Sequence, residues 1–446
     1  MFDILALLQC LLPQIKVTTM RQLNQIIMAM LAMSGKVTML GISRWASIGG
    51  SYRTVIRFFH TVIPWATVFW VFFRHHLLCP NDVYLLAGDE VVITKSGKET
   101  YGLDKFFSSL LNKPISGLSF FALSLVSVQK RHSFPISIEQ RIKSDEEKNN
   151  STSSSTIKPK QKRGRGRPKG SKNKSKTEVV LTSELRLIKK MINELFKLIA
   201  NLIPITYLVV DGHFGNNNAL QMARQVNLQI ISKLRHDSAL YIPYKNSHPN
   251  SRSRRKYGDR FDWRNISMCY LRQSNLEEEI QTDIYQATLL HKEFAQPLNV
   301  VILVKTNINT NARSHVILFS SDLDLSYDKI IDYYKLRFQI EFNFRDAKQF
   351  WGLEDFMNLG QTSVTNAANL SFFMVNLSHY LLAKFRKDNP DSGIIDLKSY
   401  YRGFRYVGEM LKMLPNKPDP ILLKQIFAKL TSLGRIHKVS TAVEPS

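Results

Sequence analysis

Apolar and polar positions change period several times along the chain. Over residues 1–78 they recur at helical spacing: Leu23, Ile26, Ile27, Met30 and Leu31 share one face of a helix predicted over 20–33, which Gly35 closes. From residue 81 the pattern changes. Residues 83–93 (VYLLAGDEVVI) and 117–128 (GLSFFALSLVSV) are nearly unbroken apolar runs, the pattern of strands buried on both faces. Residues 178–202 return to helical spacing, with Leu185, Ile188, Ile192, Leu195 and Ile199 inward. Residues 205–211 (ITYLVVD) and 227–234 read as further strands, separated by a turn at 212–215 and an Asn-capped helix over 216–225. Residues 235–322 are β-rich and irregular, with runs at 266–271, 280–290, 300–304 and 315–319. Residues 326–351 contain neither Pro nor Gly and are predicted as one helix, braced by a long apolar helix over 363–387, with weaker helices from 394 onward. Helical patterns alternating with buried strands predict an α/β core behind an all-α N-terminal region.

Three acids interrupt this pattern. Asp89 lies inside the first apolar run, Asp211 ends a later one, and Glu341 lies on the 326–351 helix. A carboxylate in a buried strand is costly unless it is paired or binds metal, although Asp89 could instead end its strand at solvent. At 3.6 residues per turn, Tyr334, Arg337, Glu341 and Lys348 fall within about 60° of one another, a single polar stripe. Phe338, Ile340, Phe342, Phe344 and Ala347 are left to pack into a core. The stripe suits a structural ion pair or a metal-ligating carboxylate beside phosphate-binding cations. Three carboxylates from two strands and a helix can hold two hard divalent cations about 3.5–4 Å apart, which is phosphodiester chemistry.

Charge narrows the partner. Lys and Arg number 61 against 36 acids, net +25, with a pI near 9.9. That points to a polyanion, nucleic acid before anionic membrane. Ten of those cations, and no acid, lie between residues 158 and 176, a segment that cannot bury a core. Within it Arg165-Gly166-Arg167-Pro168 matches an AT-hook core, in which an extended Arg-Gly-Arg enters the narrow minor groove of A·T DNA; a basic loop without groove specificity is the alternative. Residues 252–264 interleave Tyr257, Phe261 and Trp263 with cations, suited to phosphate contact plus base stacking or to a solvated edge with aromatic anchors. Residues 42–60, with Arg44, Arg53 and Arg57, have helix-turn-helix proportions and read as a DNA-contacting head or a packing subdomain. Cys10, Cys79 and Cys269 have no paired spacing, which argues against a zinc site or a disulfide framework. No secretory leader is recognisable, and the longest apolar run, 62–73, is broken by Pro64 and too short to span a bilayer. The expectation is a cytoplasmic, nucleoid-associated protein with no membrane partner.

Tyr334, Arg337, Glu341 and Lys348 match the Y-(2)-R-(3)-E-(6)-K signature without a gap, and here the chain resembles the DDE transposases of bacterial insertion sequences. Asp89, followed by Lys95-Ser96-Gly97-Lys98 and Gly102, looks like the family's first-aspartate region; Tyr207 to Asp211 with Gly212-His213-Phe214-Gly215 looks like its second. The resemblance covers about residues 81–360. It implies an RNase H-like catalytic core, a mixed sheet flanked by helices, interrupted by a β-rich insertion domain. The corresponding division is 1–78 (helical, DNA-binding), 79–142 and 178–234 (core), 143–177 (basic linker), 235–322 (insertion), 323–390 (catalytic Glu helix and brace) and 391–446 (helical tail). It implies that Asp89, Asp211 and Glu341 are catalytic and hold two Mg²⁺, with Mn²⁺ able to substitute. Tyr334, Arg337 and Lys348 would contact the terminal DNA backbone, and an insertion-domain Trp, with Trp263 the candidate, would steady a flipped base. The implied activity is cut-and-paste transposition: water attack at the element's end, hairpin closure by the freed 3′-hydroxyl, and attack on target DNA. The implied partners are double-stranded DNA, both transposon ends and target, and a second copy in a homodimeric synaptic complex. The basic segment is an insert that the family does not require. The alternatives are a DNA-binding regulator or a nuclease descended from a transposase.

Overall fold

The apolar runs around Asp89 and residues 117–128 pair as neighbours in the computed structural model, which describes residues 3–46, 49–108, 112–143, 175–244, 256–416 and 418–437. Strand β1 (Tyr84–Thr94) is followed by the short β2 (Asp104–Ser108), β3 (Lys113–Ser127) and β4 (His132–Arg141). β1 and β4 flank β3, both antiparallel to it. β5 (Tyr207–Val210) and β6 (Gln229–Leu234) then add in parallel on the free side of β1. Helix-spaced sequence supplies the crossovers that parallel strands need.

The β-rich stretch continues this sheet. β7 (Leu240–Pro243), β8 (Tyr257–Arg260), β9 (Leu271–Glu277), β10 (Ile280–His291), β11 (Leu298–Asn307) and β12 (Arg313–Ser320) follow in sequence. β12 pairs antiparallel with β6 from Ile317↔Leu234 to Ser320↔Ile231. Among the described residues one 12-stranded sheet results, in the order β2-β3-β1-β5-β6-β12-β11-β10-β7-β8, with β4 on β3 and β9 on β10. This mixed α/β architecture is compatible with an RNase H-like DDE fold. Residues 266–271, expected as a strand, instead hold a short 3-10 turn at Met268–Tyr270, and the strand starts at Leu271. β4 has no counterpart in the sequence expectation. Its Pro135 argues against a central strand, and the structure accommodates it where the register shifts between Leu123 and Ser124.

The helices form a shared core with the sheet. The N-terminal helices are α1 (Ile4–Leu8), α2 (Val17–Ala32), α3 (Met39–Trp45), α4 (Tyr52–His60) and α5 (Trp65–His76). Arg44, Arg53 and Arg57, on α3 and α4, are exposed. α6 (Ser183–Ile199) and α7 (Asn217–Gln225) lie either side of β5 in sequence. α8 (Tyr327–Leu336), α9 (Gln339–Gln349), α10 (Gln361–Phe385), α11 (Ile394–Met413) and α12 (Pro420–Ser432) complete the chain. Phe373 of α10 is fully buried and meets Phe72 at 5.0 Å, Phe69 at 6.0 Å and Trp65 at 6.2 Å between ring centroids, so α5 is keyed into the central helix. Buried amides on α10 satisfy backbone groups that burial would otherwise orphan. Asn366 Nδ2 donates to the Phe59 and Thr61 carbonyls at 2.8 Å, at the end of α4, while its oxygen accepts from Trp65 Nε1 at 2.8 Å. Asn376 Nδ2 donates to the Pro135 carbonyl at 2.7 Å.

The helix expected over 326–351 is broken. α8 stops at Leu336 and α9 starts at Gln339. Phe338 N donates to Lys335 O and Glu341 N to Phe338 O, bonds that reach back three residues rather than four. The buried face of α9 is Ile340, Asn343, Phe344 and Ala347. Phe338 and Phe342, expected in the core, are 49% and 37% exposed because they lie outside that face. Gly352, at φ +80°, ends the helix in the left-handed region where a side chain is strained.

Among the described residues no single helix is long and apolar enough to cross a membrane.

Lys398 and Arg402 of α11 cap the carbonyl end of α2: Lys398 Nζ donates to Met30 O at 2.6 Å and Arg402 Nε to Ala32 O at 3.0 Å. Burial, with the Arg402 charge second, pulls the Lys398 ammonium down to about 7 from 10.5. Between those values the unfolded chain holds a proton that the folded chain has released, so stability rises as pH rises through the window. From pH 7 to 9 this contributes about 2 kcal/mol, which Lys398→Met removes. Denaturant unfolding of both proteins across this range checks it, and equal pH slopes would refute it.

Candidate active site

Strand register sets the first two acids side by side. β1 and β5 are parallel, with Leu86↔Leu208, Ala87↔Val209 and Gly88↔Val210 paired. The next position on each chain is Asp89 and Asp211, and equivalent positions on neighbouring parallel strands face the same way. β5 ends at Val210 while β1 runs on to Thr94, so Asp89 lies within its strand, not at the solvent end of it. Its side chain is 19% exposed. The Asp211 carboxylate accepts from His213 N at 3.1 Å, and its carbonyl accepts from Ser232 Oγ at 2.6 Å, which fixes the turn after β5.

Glu341 joins through Arg337. The Arg337 guanidinium, 13% exposed, sits 2.8 Å from Asp89 Oδ2 and 3.4 Å from Glu341 Oε1. Burial drives the Asp89 carboxyl up to about 6; Arg337 opposes that rise, and the nearby Asp211 and Glu341 charges add to it. Tyr334 belongs to the same group, its hydroxyl pushed up mainly by burial, with Arg337, Asp211 and Asp89 in electrostatic range. Asn343 anchors α9 to the sheet through Ser133 Oγ at 2.8 Å.

Lys348 is elsewhere. Its ammonium donates to Val92 O at 3.2 Å and pairs with Glu354 at 3.0 Å, beyond Asp89 along β1. Trp263 lies among Arg260, Arg264 and Arg313 beside a cavity of about 690 Å³. It stacks on His315 at 5.5 Å and 11° between planes, and His315 Nε2 bonds His236 O just past the end of β6. β5 and β6 are parallel, so Trp263 borders the same edge of the sheet as Asp211, on the β12 side, but is not gathered with the acids. Arg165 and Arg167 lie outside the described residues.

A second polar layer backs the acids and was not anticipated. Arg141 pairs with Glu90 at 3.0 Å and Glu184 at 3.4 Å, and Glu184 also meets His213 Nε2 at 3.4 Å. Burial works against the Glu184 charge, but His213 and Arg141 outweigh it and hold its carboxyl below the usual range. The layer thus ties the residue after Asp89 to the second residue after Asp211. Nothing in local spacing marks Arg141 or Glu184, which the topology brings together from two separate elements.

Three carboxylates are hard oxygen donors, the right kind for divalent cations of the Mg²⁺ or Mn²⁺ class. In the present arrangement Arg337 takes the place of a counter-cation between two of them. Among the described residues no three His, Cys, Asp or Glu side chains are drawn close enough to hold a metal ion as they stand.

The model of a DDE superfamily endonuclease family matches residues 10–296, well over half of the chain. The chain belongs to that family. The match spans Asp89 and Asp211 and stops short of Glu341. No curated protein matches the sequence. DDE superfamily enzymes are nucleases that generally use divalent metals, and the substrate class this implies is DNA.

Proposed function

We propose that this DDE superfamily member is a transposase of an insertion sequence, cutting and joining DNA at Asp89, Asp211 and Glu341. The observation that carries the reading is the register of Asp89 with Asp211 on adjacent parallel strands, with Glu341 tied to Asp89 through one guanidinium. Two Mg²⁺, or Mn²⁺ in their place, supply polarisation of the attacking and leaving oxygens when bound there.

The chain's own groups do the rest. The carboxylates are carried on two strands and a helix, with Arg337 between Asp89 and Glu341 until substrate arrives. Arg337 gives up Asp89 for a backbone phosphate, which its planar fork suits. Tyr334 contacts the same backbone, and Lys348 exchanges Glu354 for a phosphate further along. Trp263 steadies an unstacked base. In the cut, water's oxygen bonds to phosphorus, the bond to the 3′-oxygen breaks, and a proton ends on that oxygen. In joining, the freed 3′-oxygen bonds to a phosphorus of the target strand, the bond from that phosphorus to the target's own 3′-oxygen breaks, and the proton of the attacking hydroxyl ends on that leaving oxygen. Two copies of the chain pair the two element ends.

The test is incubation of the purified chain with DNA carrying both flanks of its coding region, in Mg²⁺ and in Mn²⁺. One cut at a fixed position in each flank, followed by joining to a second duplex, is expected. Cutting without joining would reduce the chain to a nuclease, and no cutting with either metal would overturn the proposal.

A further inference from the structure

The β3–β4 turn, the later turns of α9, the end of α10 and the start of α11 surround a cavity of about 600 Å³. Of the four histidines that line it, His132 and His379 have their Nε2 atoms 3.1 Å apart and ring centroids 3.8 Å apart. Burial comes first in holding both imidazoles below their usual value, His132 down to about 4, with the Lys130 charge next for His132, and with Arg386 adding to both. Both rings are therefore neutral at pH 7, one donating to the other.

The charges around them do not cancel. Asp346 is taken up by Arg345 at 3.0 Å. Asp396 is taken up by Gly393 N, Ile436 N and His437. Lys130 and Arg386 are both exposed and, among the described residues, neither is in ion-pair contact with a carboxylate. Arg386 spends only its Nε, on Ser392 O at 2.7 Å. A metal cation on the histidine pair would face both uncompensated charges, and among the described residues no third ligand is close enough. The same charges favour an anion whose oxygens accept from several N–H groups at once.

We propose that this cavity is a phosphate-binding site, with Lys130 and Arg386 as its charged donors and the His132–His379 pair as its floor. A phosphate could come from a DNA backbone or from a free phosphate-bearing molecule. Asp346 follows Glu341 by five residues on α9, about 7.5 Å of helix rise and about 140° round its axis, so a strand that runs from the acids to the cavity has to pass round α9. That strand source rests on the DNA-cutting proposal; the binding of free phosphate does not.

Calorimetric titration of the full chain with inorganic phosphate, and anisotropy of a labelled duplex over a salt series, are run on wild type and on the Lys130→Gln/Arg386→Gln double variant. Thermal unfolding verifies that the variant is folded. Phosphate affinity is expected to fall by about tenfold or more per charge removed. If the salt slope of duplex binding also shrinks by about one, the phosphate belongs to a strand; if it does not, the ligand is a free phosphate. No phosphate binding by wild type, or binding that the double variant leaves unchanged, overturns the site. Asp89→Asn abolishes cleavage and leaves phosphate binding intact, so failure of the active-site reading is told apart from failure of this one.

Discussion

Asp89→Asn, Asp211→Asn and Glu341→Gln are each expected to lower DNA strand cleavage by about 10³-fold or more while duplex binding persists. Each change keeps the side-chain volume and removes one negative charge. A hard divalent cation held by three carboxylates loses a large share of its attraction with one of them, and the barrier rises by about 4 kcal/mol for that thousandfold. Binding survives because affinity for a duplex comes mostly from cations on phosphates, and the chain carries a net +25. Gel cleavage and anisotropy on the same preparations check both halves. Cleavage within tenfold of wild type by any one variant removes that acid from the site.

Arg337→Met is expected to destabilise the metal-free protein by about 3 kcal/mol, and divalent cations are expected to restore more of that loss than they add to wild type. Asp89 is already pushed up to about 6 by burial and by the neighbouring acids, with Arg337 the chief opposing influence. Without the guanidinium the cluster must take up a proton or remain uncompensated, and an added divalent cation answers that charge. Thermal unfolding with and without Mg²⁺ reads this independently of activity. A variant as stable as wild type without metal, with no extra gain from Mg²⁺, would mean that Arg337 is not the counter-ion of the acids. Lys348→Met, whose partner Glu354 is exposed, is expected to cost under about 1 kcal/mol.

Much of this site can be read from the chain because its acids violate the pattern around them. Asp89 and Asp211 stand in or at the end of strand-forming runs, and a parallel α/β arrangement places such residues together. The break at Arg337 is invisible because no Gly or Pro marks it; the helix tightens through ordinary residues. Arg337, at that break, is held between Asp89 and Glu341, a pairing that a continuous stripe does not foretell. β4 is hidden by Pro135, which is admissible because β4, among the described residues, is an edge strand on β3 and because the register shifts at that point. The Glu90–Arg141–Glu184–His213 layer has no local signature, because its members meet only once β4 and α6 are packed. The pairing of β12 with β6 is likewise non-local, so a β-rich stretch that reads as a separate insert becomes part of the main sheet.

That shared sheet has a mechanical consequence. Strands joined by ladder bonds twist together but do not hinge between neighbours, and the ladder from β1 through β5 and β6 to β12 is unbroken. β12, whose His315 stacks on Trp263, and the strand of Asp89 are therefore joined through one ladder with no hinge between them. With DNA bound as proposed, the accommodation is expected to fall on the duplex, and among element ends with equal contacts the more pliable base steps are expected to be favoured at positions that no side chain touches.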